Sequence, residues 1–154
     1  MPSQQLKDPL ITLTAQLADR ALDAGLQTWL NTEYGPTTEG YRALHAACLA
    51  GVAQGWLCDR EAGGLRYGRI FKAAPELQGF SVDVVDMSNI AGPHHSHPLG
   101  EIDLIMPIDA SARFDDHAAG WLVCPPGSAH HPTVTQGRAL VLYLLPQGRI
   151  DFTR

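Results

Sequence analysis

The chain has 154 residues, enough for one domain with a sizeable buried core. It is 45% hydrophobic and 18% charged, the composition of an ordinary globular protein, and its formal net charge is -5. An acidic chain whose only lysines are Lys7 and Lys72, with scattered arginines, has no basic stripe for displacing counterions, which excludes nucleic acid and anionic membrane surfaces as partners.

Residues 1–10, with Pro2 and Pro9 near the two ends, read as a loose or docking arm without the apolar run of a signal peptide. From Thr12 to about Glu33 the apolar positions Leu13, Leu17, Leu22, Leu26, Trp29 and Leu30 trace one face of a helix, with Asp19, Arg20 and Asp23 opposite. Tyr34-Gly35-Pro36 ends it. Thr37 or Thr38 then makes a good N-cap, with Glu39 placed in the first turn. Tyr41, Leu44, Cys48 and Val52 give the buried face of a second helix ending near Gly55. The expectation is an antiparallel helical hairpin over 1–55.

After Trp56 glycine and proline recur every few residues, and the apolar segments shorten to strand length. Strands are expected near 56–60, 65–71, 80–87, 92–97, 101–107, 111–114, 120–124, 131–136, 139–145 and 149–152. Many short strands at this spacing point to a sandwich or barrel over 56–154, with the helices packed on the same unit. Cys48, Cys58 and Cys124 lie far apart with no Cys-x-x-Cys pair, which suits a reducing compartment. No apolar stretch is long enough to span a bilayer, so the expected location is the cytoplasm.

The chemistry concentrates in Gly92-Pro-His-His-Ser-His-Pro-Leu-Gly-Glu101 and in Pro125-Pro-Gly-Ser-Ala-His130-His131-Pro. Imidazole nitrogens and carboxylate oxygens are the ligands that borderline divalent metals prefer. Strand alternation puts His95 and His97 on one face, and the Pro98-Leu99-Gly100 turn brings Glu101 round at the start of the next strand. Pro125-x-Gly127-x-x-His130 sets a fourth candidate ligand just after a tight turn. His94 and His131 adjoin these positions, and alternation points them away from the others. Asp103 shares a face with Glu101, either as a partner that orients a ligand histidine or as a surface residue. His45, His117 and the cysteines have no partner at a telling spacing, and Met87 and Met106 read as core.

The two segments resemble the two motifs of the cupin superfamily, His-x-His with a glutamate four residues later and a later Pro-x-Gly-x-x-His, over roughly residues 56–152. The resemblance implies a cupin-type double-stranded β-helix (a jelly roll), so the expected fold class is mainly β with N-terminal helices. It also implies one divalent metal, Fe(II), Mn(II), Ni(II) or Zn(II), held by His95, His97, Glu101 and His130. Four positions depart from the pattern: Asn89 and Ile108 stand where glycines are usual, Gly120 is one residue closer to Pro125, and Val134 replaces a frequent asparagine. These bear on turns more than on ligands.

A narrower resemblance spans nearly the whole chain. The helical first third followed by His-Ser-His-Pro-x-Gly-Glu-Ile-Asp-Leu-Ile-Met-Pro, Gly-Trp, Pro-Gly-Ser-x-His and Leu-Val-Leu-Tyr-Leu-Leu-Pro is similar to the bacterial 4-hydroxylaminobenzoate lyases of nitrobenzoate catabolism. That resemblance implies conversion of 4-hydroxylaminobenzoate to 3,4-dihydroxybenzoate (protocatechuate) with release of ammonia, by a cytoplasmic homodimer acting on a small aromatic acid. The metal ligand Glu101 would sit at the reacting centre. The leaving nitrogen needs a proton donor, for which His94 and His131 are the local candidates. The substrate carboxylate calls for an arginine fork, and Arg66 and Arg69 flank Tyr67 on one expected strand, so at most one of them points inward; Arg113 is a third option. Tyr67 and Tyr143 are candidates for an aromatic pocket or for plain core. The alternatives to a lyase are a metal-dependent dioxygenase or isomerase with the same ligands, and a non-catalytic cupin that binds a small ligand.

Overall fold

Leu6, Leu10, Leu13 and Leu17 form one buried stripe, and it opens the first helix, α1 (Gln4–Leu17), well before Thr12. The computed structural model describes residues 2–153. The N-terminal arm expected over residues 1–10 is therefore largely helix. Pro9 sits inside α1, where a proline costs about 3 kcal/mol, but fully burying Leu6 and Leu10 returns about 1.5–3 kcal/mol each.

The single helix expected from Thr12 to Glu33 is also two. Asp19 takes a left-handed φ of 62°, and Asp23 caps a new helix, α2 (Ala24–Glu33), by accepting a hydrogen bond from the Leu26 amide at 2.9 Å. Gly25 falls harmlessly in the first turn of α2. The third helix, α3 (Glu39–Gln54), follows the sequence closely: Thr38 is its N-cap, accepting from the Tyr41 amide, and Gly55 at φ 84° closes its C-terminus. Three helices thus replace the expected hairpin.

Ten strands follow, β1 (Arg60–Ala62), β2 (Leu65–Phe71), β3 (Phe80–Ala91), β4 (His95–His97), β5 (Glu101–Pro107), β6 (Arg113–Phe114), β7 (Gly120–Cys124), β8 (Ser128–His130), β9 (Thr133–Pro146) and β10 (Asp151–Phe152). A short 3-10 turn over Pro75–Leu77 precedes β3. The segment 56–60 is not a strand apart from Arg60, and β3 runs on to Ala91. The strands expected at 131–136 and 139–145 are one, because Gln136 (φ 61°) and Gly137 (φ 135°) form a bulge where a turn was expected. The partner strand bends at Asn89 (φ 45°), whose side-chain oxygen accepts the Gly137 amide at 3.1 Å. The position where the cupin pattern has glycine does need a left-handed backbone, and asparagine tolerates one.

The strands form a large antiparallel sheet in the order β1-β2-β3-β9-β5-β7, with β6 also paired to β9, and a small sheet β10-β4-β8. The chain leaves the large sheet for the small one at β4, β8 and β10, and this antiparallel two-sheet arrangement is a cupin-type jelly roll. Alternation along the large sheet divides the core. Val82, Val84, Leu140, Leu142 and Leu144 face the helices with Leu10, Leu30 and Leu44, whereas Val85, Met87, Val141, Tyr143 and Leu145 face the barrel interior. Helix α2 covers the sheet edge directly: Asn31 bonds both the amide and the carbonyl of Trp121, at 2.8 and 3.0 Å, and Gln27 accepts the Val123 amide at 2.9 Å. Among the described residues no helix is long and apolar enough to cross a membrane.

Candidate metal centre

The register of the small sheet brings the histidines together. Strand β4 pairs antiparallel with β8, so that His95 stands opposite His130 and His97 opposite Ser128. Two glycine turns complete the site. Gly100 (φ 92°) returns its amide to the His97 carbonyl at 3.1 Å and carries the chain across to β5, delivering Glu101. Gly127 (φ 84°) donates to the same carbonyl at 2.7 Å and starts β8. A side chain at Gly100 would press on Leu22 and on the Cys124 carbonyl, so both the dihedral and the space require glycine there.

Each histidine is held from behind through Nδ1. Ser128 Oγ lies 2.9 Å from His97 Nδ1, Asp115 Oδ2 lies 2.5 Å from His130 Nδ1, and the Pro93 carbonyl lies 3.3 Å from His95 Nδ1. Asp115 is itself fixed by the Thr133 amide at 2.9 Å. The Nδ1 positions therefore carry the protons, and the three Nε2 atoms turn inward. His130 Nε2 is 3.2 Å from His95 Nε2, and the three Nε2 atoms of His97, His95 and His130 lie 3.1, 3.5 and 3.6 Å from the Glu101 carboxylate. The four donor groups lie within 4.8 Å of one another.

This arrangement fits a cation. Glu101 is fully buried, and both its oxygens, like His97 Nε2, lack a hydrogen-bond partner. Lone pairs that converge in a dry site repel unless a positive charge lies between them. Burial works against charge on His130, yet Asp115 and Glu101 outweigh it and push its pKa up to about 9. Burial likewise raises Glu101, yet the three imidazoles, His130 first, hold it well below the usual carboxylate range. Three imidazoles and one carboxylate suit Fe(II), Mn(II), Ni(II) or Zn(II).

Beneath the cluster Asp103 is fully buried, and burial together with the Glu101 charge raises its carboxyl well above the ordinary range. Asp103 faces Tyr143 in the β5–β9 register, and Tyr143 faces Asp83 in the β3–β9 register, so the row of side chains continues across the sheet. A cavity of about 680 Å³ opens beside His95, walled by Tyr67, Val85, Met87, Tyr143 and Ile150.

The site residues expected from the sequence divide accordingly. His95, His97, Glu101 and His130 come together. Tyr67, Arg69 and Tyr143 line the adjoining cavity. Arg66 turns the other way and donates from Nε to the Cys58 carbonyl at 3.1 Å, because adjacent residues of β2 point to opposite faces. Arg113 is occupied by the carbonyls of Ala110, Ser111 and Ala112. His94 and His131 pack against each other with their rings tilted by 57° and 4.8 Å between centres, and His94 lies against the Thr153 hydroxyl. Neither residue is among those of the cluster or of the cavity wall. Two supporting residues were not read from the sequence: Asp115, and Ser128, whose place in Pro-Gly-Ser-x-His was the available signal.

A sequence profile of the family described as 4-hydroxylaminobenzoate lyase (PnbB) matches residues 8–152. A 4-hydroxylaminobenzoate lyase of Pseudomonas putida is 32% identical over 92% of this chain and 90% of its own length. Another, from Nocardioides sp. (strain LMS-CY), is 34% identical over 97% and 94%. A solved RmlC-like cupin protein of Ralstonia eutropha JMP134 aligns with 60% of this chain and 62% of its own at 14% identity, with a TM-score of 0.43. With a profile match along almost its entire length and two relatives above 30% identity, the chain belongs to the 4-hydroxylaminobenzoate lyase family.

Proposed function

We propose that the protein is a metal-dependent lyase that converts 4-hydroxylaminobenzoate and water to 3,4-dihydroxybenzoate and ammonia. Family membership supports the reaction, and one observation carries the metal dependence: three histidine Nε2 atoms and an unpartnered, fully buried carboxylate turned toward one point beside a cavity. His95, His97, Glu101 and His130 would hold the ion. When bound, it supplies Lewis acidity and lowers the pKa of a water molecule.

The other parts of the reaction fall to the chain's own groups. The N–O bond breaks and its oxygen leaves as water, one water oxygen enters the ring carbon beside the one bearing nitrogen, and a second water replaces the nitrogen, which departs as ammonia, so that one water is consumed net. A flat ring fits between Tyr67, Val85 and Tyr143, whose side chains exclude bulk water from one end of the cavity. Tyr143 is 4% exposed and lines that wall, and its phenol, raised well above its usual pKa by burial and then by the charges of Glu101 and Asp103, stays protonated as a hydrogen-bond donor toward the substrate.

Ammonia and 3,4-dihydroxybenzoate released from 4-hydroxylaminobenzoate by the purified, metal-loaded protein are the test. Wild type is expected to form both in equal amounts, and His97→Ala and His97→Gln to lose activity by about a hundredfold or more together with bound metal. No turnover by the metal-loaded wild type contradicts the reaction. Full turnover by a folded, metal-free His97 variant contradicts the metal.

A further inference from the structure

Two cations among the described residues line the cavity beside the metal cluster, Arg60 and Arg69. Arg69 is already engaged. Its Nε and Nη2 grip the Asp83 carboxylate at 2.7 and 3.2 Å, and Nη2 also reaches the Gly148 carbonyl at 3.3 Å. Taking a substrate carboxylate there means displacing a bidentate partner. Arg60 lies on the short edge strand β1, directly opposite Tyr67 in the β1–β2 ladder, so the two side chains share the cavity face. Among the described residues its guanidinium has no ion pair and no side-chain hydrogen bond, while Asp59 reaches the same rim unpaired to either arginine. Leu65, Tyr67, Val85 and Tyr143 give the same cavity an apolar and aromatic wall.

We propose that Arg60 is the residue that recognises the substrate's carboxylate. Its planar fork binds the carboxylate of a monocyclic aromatic acid at the cavity rim, the ring lies along Tyr67, and the substituent para to the carboxylate points to His95 and the metal ligands. Arg60 and His95 line the same cavity, as a ring with its carboxylate and its nitrogen on opposite sides requires. This deepens the lyase reading and rests on it for the identity of the reacting end. Arg60, whose guanidinium has no ion pair among the described residues, is the group that would favour an anionic ring compound there.

Benzoate is the probe, since it carries the ring and the carboxylate but no reactive nitrogen, and benzamide is its neutral counterpart. Calorimetry on the metal-loaded full chain compares wild type with Arg60→Gln, Arg60→Lys and Arg69→Gln. Arg60 is exposed on an edge strand, so its variants keep the fold. The expected result is benzoate affinity lowered about 10–100-fold by Arg60→Gln, partly restored in Arg60→Lys, with the weak binding of benzamide unchanged. KM for 4-hydroxylaminobenzoate rises by a similar factor in Arg60→Gln, and kcat changes far less. Benzoate binding that is absent in wild type, unchanged in Arg60→Gln, or lost only in Arg69→Gln overturns the assignment. Arg60-dependent benzoate binding by a wild type that releases no ammonia upholds the carboxylate site and removes the lyase reading; ammonia release with Arg60-independent binding does the opposite.

Discussion

His97 and Ser128 face each other across the β4–β8 ladder, and the Ser128 hydroxyl decides which nitrogen His97 presents to the cluster. That hydroxyl donates its one proton to the Pro125 carbonyl at 2.6 Å, so it can only accept from His97 Nδ1 at 2.9 Å. His97 Nε2 is left as a lone pair aimed at the site. Ser128→Ala removes the acceptor while leaving the four ligands in place. The expected outcome is a fold with unchanged far-ultraviolet circular dichroism and a metal affinity lower by about tenfold, read by competition with a chelator. Unchanged affinity would show that His97 needs no such support.

Asp115 does the same for His130, with a charge in addition. In the metal-free protein the His130 pKa of about 9 exceeds its unfolded value of 6.5. A folded-state value raised above the unfolded one means that this pairing contributes stability fully below pH 6.5 and loses it as the pH climbs through about 9. Denaturant melts in the presence of chelator are therefore expected to show stability falling over that window. Asp115→Asn flattens the fall. A wild-type profile that is level between these two pH values contradicts the pairing.

The edge of the large sheet carries a different prediction. Strand β7 ends the sheet order, and α2 supplies what a further strand would have supplied, through Asn31 to both backbone groups of Trp121 and Gln27 to the Val123 amide. Asn31→Ala leaves two backbone groups without these partners and is expected to cost about 2–4 kcal/mol, while also exposing an edge that can pair with another chain. Urea denaturation and light scattering read the two effects. A loss under about 0.5 kcal/mol with no aggregation would show that α2 is held by its leucines alone.

How much of this was legible in the sequence depends on the kind of signal. His95, His97 and Glu101 were readable because alternation and a glycine turn are local, and His130 because a Pro-x-Gly-x-x-His turn is local too. Asp115 was not, since it reaches His130 from the residue just after β6, through pairing with β9 that only the folded sheet creates. The split of one apolar-periodic stretch into α1 and α2 was hidden for another reason: Asp23 reads as a polar-face residue until its side chain is seen to cap Leu26. Gln136-Gly137 carries the residues of a turn, and only the partner bend at Asn89 makes it a bulge within one strand. The position of Arg60 was not legible because β1 starts later than the apolar pattern suggests, at Arg60 itself, and its pairing opposite Tyr67 follows from that start.

The most direct measurement is ammonia release from 4-hydroxylaminobenzoate by the same preparation before chelation, after chelation, and after adding back single divalent metals, with metal content determined at each stage. The predicted result is activity that disappears with the metal and returns with one ion per chain, for at least one of iron, manganese, nickel or zinc. Undiminished ammonia release from protein whose metal content is far below one ion per chain would contradict the assignment of His95, His97, Glu101 and His130 as a metal centre that the reaction requires.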